Sequence, residues 1–121
     1  MAPMRSCASL ATLAVALVLL TAPASAEAKR CLGNRGSRSL GPTYVLQITV
    51  THTSCDTGKK VVRAYDRCRR RHGGAKGRCP SRVLHYRCTE GRRRTSPVQF
   101  DAPVSCRYGA RRVRFTYTQN T

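Results

Sequence analysis

His52, His72, His85 and Glu90 are the side chains of this chain best suited to moving a proton, and they lie among many arginines. Small basic exported ribonucleases use two histidines with a lysine, or a Glu, His and Arg set, for acid–base attack by a 2′-hydroxyl. The pair that fits here is His85 with Glu90 or with another histidine. Strand alternation puts His85 and Arg87 on one face, while Glu90 approaches only if the strand bends. Ordinary surface or cap histidines account for the same residues, and His72 suits a helix-end cation. A Ser-His-Asp set can be composed from these letters, but a GxSxG elbow is absent.

Cysteine offers a second chemistry. Cys68, His72 and Cys79, with His85 or Cys88, could be drawn around zinc, yet there is no C-x2-C pair. Thiols destined for disulfides explain the same residues, so neither a metal nor a cofactor is expected.

Arginine offers the third and broadest. The chain carries 19 arginines and 4 lysines against five acids, a net charge of +18. A GC-rich genome accounts for arginine over lysine, but less well for so few acids. Guanidinium forks suit phosphate, sulfate and carboxylate. The candidate anion contacts are Lys59, Arg63, Arg67 and Arg70 on one helix stripe. To these we add the turn Arg92, Arg93 and Arg94, and Arg112 and Arg114 within "ARRVRF". The partner expected is an anionic polymer: a cell-wall polymer, a polysaccharide or a nucleic acid.

The elements that position these residues follow from the pattern. Residues 1–26 have the form of a secretory signal: Arg5, the apolar run "ASLATLAVALVLL", then "ASA". That run is too short to span a bilayer. Cleavage after Ala26 removes Arg5 and Cys7, leaving 95 residues, a net charge of +17 and no later membrane-spanning stretch. Residues 27–42, rich in Gly and Ser, form an N-terminal loop; residues 43–121 form one small domain.

Within that domain "TYVLQITVTH" is a strand over 43–52. Thr53 or Ser54 caps a helix. Its first turn holds Asp56, and its last holds Arg69, Arg70 and Arg71, as the helix dipole favours. Gly73 and Gly74 end it. Val61, Tyr65 and Cys68 make its apolar stripe, with Val62 and Ala64 beside it. "VLHYRCT" over 83–89 is a second strand, and "GRRRTSP" a basic turn. Two alternating strands around "YGAR" close the chain. Pro103 lacks an N–H and places its strand at an edge or a bulge. The order β-α-β-β-β predicts an α+β fold, one helix on a small antiparallel sheet.

Six cysteines remain after residue 26: Cys31, Cys55, Cys68, Cys79, Cys88 and Cys106. An even count in a short exported chain is a disulfide framework. Cys55 and Cys68 would lie about 19–20 Å apart along a helix, beyond the roughly 7 Å reach of a disulfide. Each therefore bonds outside the helix. Cys68 with Cys79, closing the glycine-rich loop, is the expected pair; the remaining four can pair in more than one way.

The stretch "TSC…VVRAYDRCRRRHGG…GRC…YRC…VSC…FTYTQNT" resembles small secreted cysteine-containing actinobacterial proteins of unknown function. They share a T/S-S-C helix start, an aromatic-x-Cys strand and a closing x-x-Cys hairpin. The likeness covers most of residues 45–121. It implies source and export and transfers no catalytic residue. The leading expectation is thus a secreted, non-catalytic binder of anionic polymers. A small ribonuclease is the alternative, and a protease-inhibitor-like or structural extracellular module a second one.

Val, Leu, Ile and Phe make up 15 of the 95 residues, below the roughly 20% at which highly charged chains tend to be disordered. Each disulfide adds about 2–4 kcal/mol. Reduction is therefore expected to abolish the cooperative thermal transition at ordinary salt, as followed by circular dichroism. A sharp transition in the reduced protein would contradict this.

Overall fold

The structure, a computed structural model, describes residues 3–4, 14–22, 26–33 and 35–121. The strands are β1 (Lys29–Arg30), β2 (Tyr44–Thr51), β3 (Arg87–Glu90), β4 (Arg94–Thr95), β5 (Gln99–Tyr108) and β6 (Arg111–Asn120). The helix α1 spans Cys55–Arg71, and a 3-10 turn covers Gly74–Lys76. All pairings are antiparallel, in the order β1-β2-β6-β5-β3, with β4 following β3 along the same side of β5. One helix on one face of this sheet is the α+β arrangement expected. Among the described residues no helix is long and apolar enough to cross a membrane.

Helix α1 begins where the sequence places it. Ser54 is the N-cap, its Oγ accepting from the Thr57 N–H at 3.1 Å. Val61, Val62, Ala64, Tyr65 and Cys68 are buried. They face Ile48 and Val50 of β2, Phe100, Ala102, Val104 and Cys106 of β5, and Val113, Phe115 and Tyr117 of β6. Tyr65 meets Phe115 edge-on, with ring centroids 5.7 Å apart. Burial, with Glu90 nearby, pushes the Tyr65 hydroxyl pKa up from 10.0 to about 12. Gly58 lets the helix approach β2 closely: a Cβ there would meet Val50 Cγ1 at 2.7 Å.

The disulfides are Cys31–Cys55, Cys68–Cys79 and Cys88–Cys106. The first two fasten the two ends of α1 to separate loops, and Cys68–Cys79 is the pair expected. The third joins directly opposed residues of β3 and β5.

Several elements differ from expectation for identifiable reasons. The segment 27–42 is not only loop: β1 pairs with β2, Ser37 bridges Val45, and Leu40 is buried. In β2 the register shifts between Val45 and Gln47, leaving Leu46 exposed. The strand expected over 83–89 is broken. Val83 and Tyr86 exchange both backbone hydrogen bonds around Leu84 and His85, which have φ of 47° and 70°. That is the form of a type I′ turn, here without its usual Asn-Gly, so the strand starts only at Arg87.

β5 is an interior strand, not an edge. Its proline is accommodated because the neighbouring strand is interrupted opposite it, between β3 and β4. Gly91 N–H donates to the Pro103 carbonyl at 2.7 Å. Of the leader reading, residues 3–4, 14–22 and 26 are described and lie outside any helix or strand. Arg5, Cys7, Ala24 and Ser25 lie outside the described residues.

Arg69, expected as a last-turn cation serving the helix dipole, is fully buried. Its guanidinium stacks over Tyr117 at 4.6 Å and contacts Asp66 at 2.6 Å. It donates to the Gln119 side chain at 2.6 Å and to the Ala75 carbonyl at 2.6 Å. Asp66→Ala strands this charge in the core. A loss of about 3–5 kcal/mol is expected, measurable by urea unfolding; a loss below 1 kcal/mol would mean the pair contributes little.

Candidate functional site

Because α1 covers one face, the other face of the sheet lies open. Alternation assigns its residues and the register arranges them in rows. Arg87, Arg107 and Arg112 stand directly opposite one another across β3, β5 and β6, with Thr51 of β2 beyond. The next row is Thr89, Ser105, Arg114 and Thr49. The third brings Pro103, Thr116 and Gln47 together. Adjacent strands lie about 4.8 Å apart, so the three arginines of the first row are immediate neighbours.

The ion pairs among the described residues are Arg69–Asp66, Arg70–Asp66, Arg78–Glu90 and Arg93–Glu90. Arg87, Arg107, Arg112 and Arg114 are in none of them. The neighbouring charges of Arg107, then Arg114, followed by a smaller desolvation effect, lower the Arg112 pKa below its usual value. Asp101 sits at the opposite end of this face and accepts from the Thr118 hydroxyl at 2.6 Å. The face is thus polarised along β5 and β6, acid at one end and guanidinium at the other.

Two adjoining depressions mark this surface, each about 470 Å³. One is floored by Gln47, Thr49, Thr89, Ser105, Arg114 and Thr116. The other runs from Thr89 and Ser105 past Arg87 and Arg107 to Arg82, His85 and Tyr108. Hydroxyl and guanidinium donors line both, and Pro103, Val104 and Phe115 make the first largely apolar.

The residues singled out from the sequence divide into three groups. Arg112 and Arg114 lie on the open face. Lys59, Arg63, Arg67 and Arg70 lie on the helix, on the far side of the molecule from it. Arg92, Arg93 and Arg94 follow β3 at the sheet margin. Two of the nine are engaged internally. Arg70 Nε donates to Asp66 at 2.9 Å. Arg93 pairs with Glu90, donates to the Lys76 and Gly77 carbonyls at 2.7 Å and stacks on Phe100 at 4.2 Å. The nine residues therefore do not form one surface.

Among the proton-transfer candidates, Glu90 is set apart from the histidines. Glu90 stands opposite Val104 on the helix-facing side of the sheet. Its carboxylate is held by Arg78 at 2.6 Å, by Arg93 and by the Tyr117 hydroxyl. Burial and the Glu90 carboxylate raise the Tyr117 pKa above its usual value. His85 is exposed in the turn before β3, so the structure does not bring it to Glu90. His72 Nδ1 bonds the Cys68 carbonyl at 2.8 Å, as a helix-end residue. His52, with φ of 56°, lines a depression with Arg107, Gly109 and Arg112 that neighbours the one containing His85. Cys68, Cys79 and Cys88, drawn above as possible zinc ligands, are in disulfides.

Arg87 and Arg107 were not among the sequence candidates. A usable signal was present, because each adjoins a cysteine. An antiparallel Cys88–Cys106 bridge between opposed residues sets Arg87 opposite Arg107. No family model, curated protein or solved structure matches the chain.

Like charges directly opposed on a sheet destabilise it, and salt screens them. Arg107→Thr is therefore expected to raise the melting temperature, more at low ionic strength than at high. A melting temperature lowered at low salt would show that the row is held by interactions other than those described.

Proposed function

We propose that the protein is an exported, disulfide-held module that binds anionic polymers on the open face of its sheet, without catalysis. The observation that carries this reading is the row Arg87–Arg107–Arg112, with Arg114 beside it and, among the described residues, no carboxylate paired to any of the four. A chain that only needed solubility gains nothing by setting three guanidinium groups against one another. An anion laid across them relieves the repulsion and meets several forks together. The Ser and Thr hydroxyls between them add neutral donors for phosphate, sulfate or carboxylate oxygens. Export fits the three disulfides, the leader pattern and the likeness to secreted actinobacterial proteins.

Binding of this kind is driven by counterion release and falls with salt. Four arginine contacts on duplex DNA correspond to a log–log salt slope of roughly −3.6. Titrating heparin and duplex DNA at low and moderate salt checks this. Arg112→Gln with Arg114→Gln is expected to weaken both and make the DNA slope shallower by roughly 1.8. A triple Gln variant at Lys59, Arg63 and Arg67 is expected to leave affinity nearly unchanged. Absence of binding at low salt, or a larger loss from the helix variant, would refute the open-face reading.

A further inference from the structure

At the β3 and β5 end of the open face lies a feature that charge alone does not require. Tyr108 is the last residue of β5 and is 43% exposed. The His85 ring lies 5.8 Å from it at an interplanar angle of 31°, and the Arg111 guanidinium lies over it at 5.2 Å. Buried Tyr86 supports it from 5.6 Å. His85 and Arg111 are themselves exposed. Alternation turns Tyr108 and Arg111 from the open face, but at this end of the sheet His85 and Tyr108 line the depression that holds Arg87 and Arg107, and Arg111 lines an adjoining one with Tyr108 and His52.

The backbone here is also strained. Leu84 and His85 both hold positive φ, which costs of order 1–3 kcal/mol each in non-glycine residues and concentrates at functional sites. The turn fixes His85 beside Tyr108 at that cost. Two-residue spacing along β6 sets Arg112 and Arg114 roughly 7 Å apart, comparable to the step between successive phosphates of an extended strand.

We infer that the open face is a binding site for single-stranded nucleic acid, in which the arginine rows carry the phosphates and the His85–Tyr108–Arg111 cluster carries an unpaired base. This rests on the open-face reading above and narrows it. Aromatic rings and guanidinium planes both accept a stacked base, and a positive groove beside such a platform is the usual means of holding single strands. A duplex keeps its bases stacked inside and cannot use the platform. A sulfated or carboxylated polysaccharide meets the arginines but offers no plane to the rings.

Three probes separate these terms: an oligothymidylate, an abasic strand of equal length and charge, and a heparin fragment. Wild-type protein is expected to bind the oligothymidylate roughly tenfold more tightly than the abasic strand, as one stacked base provides. Tyr108→Ala is expected to remove that preference and leave abasic-strand and heparin affinities within about twofold. Arg112→Gln with Arg114→Gln is expected to weaken all three. Equal wild-type affinity for the oligothymidylate and the abasic strand would overturn the inference even if Tyr108→Ala did not fold, and leave the broader anion reading standing. A Tyr108→Ala loss shared equally by all three probes would overturn it too. If no probe binds at low salt, the open-face reading itself fails.

Discussion

Asp66 and Glu90 are buried among guanidinium groups. Asp66 holds Arg69 and Arg70; Glu90 holds Arg78 and Arg93. Tyr117 lies between the two clusters, with Arg69 stacked on its ring and its hydroxyl bonded to Glu90. Through these two carboxylates a chain of high positive charge can bring arginines inside at all. Arg69 and Arg93 also reach the carbonyls of Ala75, Lys76 and Gly77, so the clusters clamp the loop after α1 against the sheet. Buried ion pairs need not add net stability over an apolar core. Here they take the place of aliphatic residues the sequence does not have, in concert with three disulfides.

With two of its five acids committed inside, the chain has three left to neutralise the outside. One helix can bury only one face of the sheet, so the second face must be polar. Alternation along β3, β5 and β6 then sends Arg87, Arg107, Arg112 and Arg114 to it. The open face and the core are thus two sides of one allocation of charge: compensated arginines inward, uncompensated ones outward. Pro103 contributes to the same arrangement. The neighbouring strand is interrupted opposite it, between β3 and β4, and at that break Arg93 lies against Glu90 and Phe100.

Much of the fold was legible. The helix, its Ser54 cap, its buried stripe and its glycine stop follow from local rules that need no partner. Cys68–Cys79 was expected as the bridge that closes the glycine-rich loop after the helix; helix length showed only that Cys55 and Cys68 do not pair with each other. The closing hairpin was legible from alternation on each side of a Gly-containing turn. What escaped was the turn at Leu84 and His85, because neither residue is a usual type I′ turn former. The burial of Arg69 escaped because a last-turn arginine ordinarily serves the helix dipole. The proposed site was legible in part: Arg112 and Arg114 stand in an alternating strand, whereas Arg87 and Arg107 become their neighbours only once the strands pair.

The sequence by itself determined the class, the framework and the sign of the surface. Periodicity, caps, an even cysteine count and an excess of arginine are properties of the chain taken a few residues at a time. Tertiary structure decided which arginines are bound and which stand exposed. It set Glu90 on the face away from His85, and gathered His85, Tyr108 and Arg111 at one end of the sheet. These outcomes depend on strand order and register, and a shift of one residue would exchange the two faces of every strand. Composition states how much charge the chain carries; pairing across the sheet decides where that charge is left without a partner.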